Sequence, residues 1–86
     1  LDIFINKLKN LPGIQSIILH GEEKPDRANI LIIGEEIDHG KVKEIVGDVK
    51  DKYNFTISSL VLEREQYEQM SRMGLYSGKK KSLYER

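Results

Sequence analysis

The sequence contains no cysteine and no tryptophan, and only two of its 86 residues are proline. The absence of cysteine excludes a disulfide scaffold, a zinc site built on thiolates and a catalytic cysteine. An excess of one charge is also missing, because 14 Lys and Arg residues balance 14 Asp and Glu residues. Nonspecific binding to nucleic acid needs an excess of cations that displaces counterions. The composition therefore argues against nucleic acid as the main partner.

Long apolar runs are missing as well. No run approaches the roughly 20 apolar residues that a membrane-spanning helix needs, and no segment has the layout of a signal peptide. We therefore expect a cytosolic protein that has no membrane partner. A chain of 86 residues forms one domain with a modest core, here residues 1–86 with a tail over residues 75–86. The charged fraction of 33% and the many Ile, Lys and Glu residues favour a thermophilic source.

The central feature of the sequence is residues 14–34, where two apolar segments flank a polar loop. Ile14–Leu19 and Asn29–Ile33 are rich in β-branched residues, which is typical of strands. Gly21–Arg27 is charged, contains Pro25 and lacks a helical period, so we predict a loop there. Two strands joined in this way are most simply antiparallel.

Helical periods flank these two strands. Apolar residues recur at helical spacing from Leu1 to Leu11, and Pro12-Gly13 is expected to end that helix. Asp38 is a candidate N-cap for a second helix over Val42–Lys52. The apolar positions of this second helix recur three and four residues apart, which predicts an amphipathic helix with one face on the core.

The remainder of the chain predicts one more strand and one more helix. Phe55–Leu62 is an apolar segment that Ser58 and Ser59 are expected to interrupt. A helix follows from about Glu63, and Ser82–Tyr84 can add a short edge strand. A strand-helix-strand unit is most simply a parallel crossover. The sequence therefore predicts an α/β (α+β) fold, with helices packed on a small mixed sheet in the order α-β-β-α-β-α.

Several segments of the chain match the motifs of a known family. Gly21–Asp26, Ile30–Gly34 and Leu60–Tyr67 resemble the small, stand-alone nucleotidyltransferase domains of the DNA polymerase beta superfamily. The corresponding family segments read G-E-x-x-P-D-S-D-I-D-L-L-V-V-G and V-V-L-T-x-E-E-F. Lys81–Tyr84 is similar to the closing K-x-V-L-Y of these domains. The resemblance covers most of the chain from Ile14 on and implies a nucleotidyltransferase-like fold.

The residues that carry the chemistry of that family are replaced in this chain. The resemblance implies that two carboxylates of the second strand hold magnesium against nucleotide phosphates, and those positions fall on Arg27 and Asn29. A third carboxylate would fall near Thr56 or Ser58, and the phosphate-gripping Gly-Ser turn is missing after His20. The resemblance therefore implies a degenerate domain with no catalytic residue, no metal and no cofactor.

Some alternatives remain open from the residues alone. Shifting the match by one residue places Asp26 at a metal position, and the protein would then be an active nucleotidyltransferase that uses magnesium and nucleotide. An Asp after Pro25 is also typical of a turn. Arg27 either accepts a phosphate by a bidentate contact or is simply exposed at a strand edge. His20 and His39 lack the spacing of metal ligands.

The third predicted helix is a candidate surface for a protein partner. Tyr67, Met70 and Met73 form an apolar stripe that Leu75 and Tyr76 extend. Such a stripe either closes the core or contacts a partner. The resemblance implies a helical partner of the HEPN type in a toxin–antitoxin pair, or fusion to a DNA-binding regulator. A homo-oligomeric structural protein is the other possibility, and in each case we predict a binding or regulatory module.

Overall fold

A computed structural model of the chain describes residues 2–74 and 78–86. Its elements, in order, are α1 (Asp2–Leu8), β1 (Ile14–His20), β2 (Arg27–Gly34), α2 (His39–Tyr53), β3 (Thr56–Leu62), α3 (Arg64–Arg72) and β4 (Lys80–Glu85). The strands form one sheet in the order β3-β2-β1-β4. β1 is antiparallel to both β2 and β4, whereas β2 and β3 are parallel. The described part of the chain is therefore a small α+β fold with a four-stranded mixed sheet and three helices.

The three predicted strands are neighbours in this sheet, and the first two are antiparallel as expected. β2 begins at Arg27, a residue that the sequence assigned to the loop. β3 runs without a break through Ser58 and Ser59, and the prediction that they interrupt it was wrong. The reason is the parallel ladder, in which Ser58 lies opposite Asn29 and Ser59 opposite Ile30. Pairing with a neighbouring strand overrides the preference of single residues.

One face of the sheet carries the main core, and we call it the covered face. Alternate residues of β1 and β2 point to it, because successive side chains of a strand point to opposite sides. α1 and α2 close over this face and contribute Phe4, Leu8, Val42 and Val49. The sheet contributes the buried residues Ile17, Leu19, Ala28, Ile30, Ile32 and Ile57.

The ends of α1 and α2 are set by local hydrogen bonds. The Asp38 carboxylate accepts a bond of 3.2 Å from the Lys41 N–H, which confirms the predicted N-cap of α2. α1 ends at Leu8, before the predicted stop at Pro12-Gly13. The chain instead tightens into a turn in which the Leu11 N–H donates to the Leu8 carbonyl over 3.0 Å. Leu11 still packs on the core, so its burial rather than a helix explains its apolar side chain.

Two glycines allow close backbone contact between the residue before β1 and the end of β2. A Cβ atom on Gly34 would lie 2.0 Å from the Gly13 carbonyl oxygen, and one on Gly13 would lie 2.0 Å from the Glu35 carbonyl oxygen. Gly13 also has a φ of +89°, which side chains other than glycine rarely tolerate. Gly34, the last residue of β2, is therefore required by this close approach of the two backbones.

The other side of the sheet, the second face, is only partly covered. α3 lies over Ile18, Leu31 and Ile33, with Tyr67 packed against them. α3 starts directly after Glu63, as predicted, and the Glu63 N–H donates to the Gln66 side chain over 3.0 Å. The short edge strand predicted over residues 82–84 is present and longer, and it adds β4 to the end of the predicted element order.

Candidate functional site

The uncovered part of the second face lies over the start of β2 and β3. Arg27 and Asn29 have the same alternation on β2 as buried Leu31, so they point to the second face. The parallel register places Thr56 opposite Arg27 and Ser58 opposite Asn29. All four of these residues are exposed. We call this group of Arg27, Asn29, Thr56 and Ser58 the open half.

The loop between β1 and β2 forms one wall of the open half. A depression of about 380 Å³ is lined by Glu22 and Lys24 of this loop together with Arg27, Asn29 and Ser58. A backbone bond of 2.9 Å from the Lys24 N–H to the Arg27 carbonyl closes the loop against the strand. The guanidinium and the ammonium group are donors only, and the amide and the hydroxyl can both donate and accept. Glu22 adds one carboxylate, but the two cations outnumber it, so the depression offers more to an anionic oxygen than to a cation.

Four residues of the sequence are candidates for binding, namely Arg27, Asp26, Asn29 and His20, and three of them share this face. Arg27 and Asn29 are in the open half, and the register that joins Leu19 to Ile30 carries His20 toward Asn29 on the same side. His20 is half-buried at the end of β1. Asp26 is different, because it precedes the strand and is not among the residues that line the depression. Its backbone carbonyl accepts a bond of 2.8 Å from the Thr56 N–H.

The positions at which the resemblance implies carboxylates thus lie side by side on two strands. They hold a guanidinium, an amide and two hydroxyls, which are poor substitutes for the anionic oxygens that magnesium prefers. Across residues 2–74 and 78–86, no three His, Asp or Glu side chains come together in a group that could hold a metal ion. The open half is therefore a polar surface with cationic donors rather than a cluster of carboxylates.

A polar cluster at the other end of the second face was missed by the sequence analysis. Ser16 is 1% exposed and is the one polar residue that is buried as a whole in the described part of the chain. Its hydroxyl donates to the Glu85 carboxylate over 3.0 Å and accepts a bond of 2.8 Å from the Arg64 guanidinium. Arg64 also donates to the Gln15 side chain over 2.9 Å. This Ser16 cluster (Gln15, Ser16, Arg64, Glu85) joins α3 to both β1 and β4.

The only signal for the Ser16 cluster in the sequence is a serine within the apolar segment of β1. A buried hydroxyl requires hydrogen-bond partners, so an apolar strand that contains serine predicts partners elsewhere. It does not identify them, because Arg64 and Glu85 are 48 and 69 residues away along the chain. The cluster satisfies its own hydrogen bonds and is a structural feature.

The predicted partner stripe of α3 divides into two parts. Tyr67 is half-buried against the second face, and the Lys80 ammonium lies 5.5 Å from the centre of its ring. Met70 is half-buried, whereas Met73 is 76% exposed. Leu75 and Tyr76 lie outside the described residues. Tyr67 thus belongs to the cover of the sheet, and the outward part of the described stripe is Met73.

Comparison of the chain with models of protein families, with curated proteins and with solved structures finds no match. The resemblance to nucleotidyltransferase domains therefore rests on the motifs in the sequence alone. None of the helices in the described part of the chain has both the length and the apolar character needed to cross a membrane.

Proposed function

We propose that this protein is a binding or regulatory module with a nucleotidyltransferase-like fold and without transferase activity. The observation that carries the proposal is the make-up of the open half. Arg27 and Asn29 occupy the positions where the resemblance implies carboxylates that hold magnesium, and their side chains are exposed on one face. A cytosolic location is part of the same proposal.

The charge of Arg27 argues against a metal-dependent reaction at this place. Phosphoryl transfer of this kind relies on magnesium to neutralise the phosphate oxygens and to orient the groups that react. A guanidinium is protonated at every physiological pH, so a divalent cation bound beside Arg27 would be repelled by it. The alternative, an active enzyme, requires Asp26 to provide a metal ligand from outside the open half.

The same guanidinium suits a different role. Arg27 can bind a carboxylate or phosphate through two parallel hydrogen bonds, and Lys24 adds a second cation in the same depression. Glu22 in the same depression limits the net positive charge, which favours one anionic group over a long polyanion. We propose that the open half receives an anionic group of a partner, and the helical partner implied by the resemblance is one such protein.

An assay for nucleotide transfer tests the proposal directly. The protein is incubated with magnesium and each labelled nucleoside triphosphate, and we expect no label on the protein or on small acceptors. Arg27→Asp combined with Asn29→Asp should restore little, because the phosphate-gripping turn is absent as well. Metal-dependent labelling that is lost in Asp26→Ala but kept in Asp51→Ala, an exposed aspartate of α2, would overturn the proposal.

A second experiment tests binding and uses pyrophosphate as a probe of anion recognition. We expect pyrophosphate to shift the backbone NMR signals of Asn29 and Ser58 in the wild type and not in Arg27→Gln. Arg72→Gln is the matched control, since the Arg72 side chain is 77% exposed on α3. Equal shifts in all three proteins would show that the open half does not recognise anions through Arg27.

A further inference from the structure

The two edges of the sheet differ in how well they are protected. Among residues 2–74 and 78–86, the order β3-β2-β1-β4 leaves β3 and β4 with one unpaired side each. β4 carries Lys80, Lys81 and Glu85, and its pairing with β1 is interrupted by a shift in register. Charged residues and bulges are common means of preventing an edge strand from pairing with another chain. β4 is therefore a protected edge.

β3 has none of these protective features. Its sequence, TISSLVL, contains no charged residue, no proline and no glycine. It pairs with β2 from Thr56 to Leu62 without any shift in register, so no bulge interrupts the strand. An uncharged, regular edge strand presents a row of backbone donors and acceptors to the next chain. Neither charges nor a bulge oppose the pairing of β3 with a strand of another chain.

The direction of the free backbone groups follows from one hydrogen bond. The Thr56 N–H donates to the Asp26 carbonyl over 2.8 Å, so the polar groups of Thr56 point toward β2. Backbone groups alternate in direction along a strand. The N–H and C=O groups of Ile57, Ser59 and Val61 therefore point away from the sheet.

We propose that β3 is the contact between two copies of this chain, which pair antiparallel about a two-fold axis at Ser59. In this register Ser59 lies opposite the second copy's Ser59, and Ile57 lies opposite the second copy's Val61. Each of these is a hydrogen-bonded pair, because the outward groups of both residues meet. The two sheets become one continuous sheet with its covered face on one side.

The side chains fit this arrangement. Residues opposite each other in a strand pair point to the same face, so Ile57 and Val61 meet on the covered face, where both already belong to the core region. On the second face Ser58 lies opposite Leu60, which is 42% exposed in the single chain. The pairing thus covers an exposed leucine and places no charged residue of β3 against another.

The register centred on Ser59 is the one that uses the whole strand. Ser59 is the midpoint of Thr56–Leu62, so every residue of β3 gains a partner. A register shifted by two residues toward the C-terminal end of β3 places Glu63 of one copy opposite Ile57 of the other. Sliding them the other way leaves Leu62 without a partner from β3. A two-fold contact is also self-complementary, as most contacts between identical chains are.

The expected association is weak. Pairing of one short strand buries less than the roughly 1,200 Å² of a standard stable contact, so the dimer should form at high protein concentration, on the order of tens to hundreds of micromolar. Analytical ultracentrifugation over that range should show the mass of the wild type rising toward twice that of the chain. A wild type that stays monomeric up to about 1 mM would overturn the proposal.

Charges at the two-fold axis test the register itself. Ser59→Lys and Ser59→Glu each place like charges opposite each other, so both variants should be monomeric. Mixed in equal amounts, they should recover dimers, because Lys then lies opposite Glu. Recovery is specific to a contact in which position 59 meets itself. Ser59 is exposed, so both variants should keep the wild-type circular dichroism spectrum and melting temperature within a few degrees.

Other outcomes separate this contact from the α3 stripe. Met73→Glu should leave dimerisation unchanged, since Met73 follows α3 and is not part of β3. If Met73→Glu is monomeric while both Ser59 variants dimerise separately, the contact lies on α3 and the proposal is wrong. Hydrogen exchange adds an independent measurement. The amides of Ile57, Ser59 and Val61 should gain protection as concentration rises, while those of Ser58 and Leu60, which point toward β2, should not change.

Discussion

The two faces of the sheet are built from the same strands, yet they bury very different amounts of side chain. On the covered face, α1 and α2 enclose a large cluster that runs from Phe4 to Ile57. On the second face, α3 covers a small apolar cluster whose buried residues are Ile18, Leu31 and Ile33. Adjacent residues of β2 therefore have different neighbours, because each strand sends alternate side chains to each face.

This difference separates the residues that hold the fold from those that are available for binding. Ile30 is buried on the covered face, while Asn29, the residue before it, is exposed in the open half. A change at Asn29 can alter the surface without removing core contacts. A change at Ile30 alters the core that positions the strand. Side chains on a strand are also held more firmly than those on a loop, which suits a binding surface.

The largest expected effect is in the middle of β2, where the two faces can be compared directly. Ile32 and Leu31 are adjacent, buried and on opposite faces. We expect Ile32→Ala to lower the free energy of unfolding by an amount near the top of the roughly 2–5 kcal/mol range for such changes, and Leu31→Ala by an amount near its bottom. The thinner cover over Leu31 can collapse more easily into the space. Urea unfolding measures both.

Two further variants keep this comparison informative. Ile32→Val, with an expected cost of about 0.5–1.5 kcal/mol, replaces Ile32→Ala if the latter does not fold. Leu60→Ala is the control for an apolar residue of the second face that is 42% exposed, and its cost should be about 1 kcal/mol or less. Equal losses for Ile32→Ala and Leu31→Ala would mean that both faces contribute alike to stability.

An intermediate effect is expected at the Ser16 cluster. Arg64→Met removes two hydrogen bonds and leaves a buried hydroxyl with one partner fewer, so we expect a loss of about 1–3 kcal/mol. Arg72→Met is the matched control, because Arg72 forms only an exposed pair with Glu68 at 4.0 Å, and its loss should stay below about 1 kcal/mol. Hydrogen exchange in β4 should also accelerate in Arg64→Met. Identical stabilities of the two variants would contradict a role for the cluster in joining α3 to the sheet.

Much of the fold was predictable because it depends on local periods. The apolar runs of the strands, which are rich in β-branched residues, and the period of α2 predicted three adjacent strands and one helix on a face, and the structure confirms them. The place where α1 ends was not predictable in this way. Leu11 continues the helical spacing, but the burial of its side chain comes from a turn. The continuity of β3 through two serines likewise depends on β2, which no local pattern reveals.

In the candidate site too, the placement of residues close in the sequence was predictable, whereas contacts between distant segments were not. That Arg27 and Asn29 share a face follows from the period of two along a strand, and the register adds Ser58 beside them. The Ser16 cluster could not be predicted, since it joins residues from three elements. The sequence also could not show that β3 is an edge, because the strand order depends on where the tail returns to the sheet.

The smallest expected effect on stability is at Met73, and it is compared with the effect at Tyr67. Met73 is 76% exposed, so Met73→Glu removes little buried apolar surface and should change the free energy of unfolding by about 0.5 kcal/mol or less. Tyr67 packs against the buried residues of the second face, so Tyr67→Glu should cost roughly 1–3 kcal/mol by placing a carboxylate on apolar side chains.

Thermal unfolding of both variants, each compared with the wild type, measures this contrast. If Met73→Glu leaves the melting temperature within about 2–4 °C of the wild type while Tyr67→Glu lowers it by more, the stripe of α3 is divided as the structure indicates. Met73 then remains available to the helical partner that we propose, since Met is enriched at protein contacts. If Met73→Glu destabilises the protein as much as Tyr67→Glu, Met73 belongs to the core, and the described part of α3 offers no separate surface for a partner.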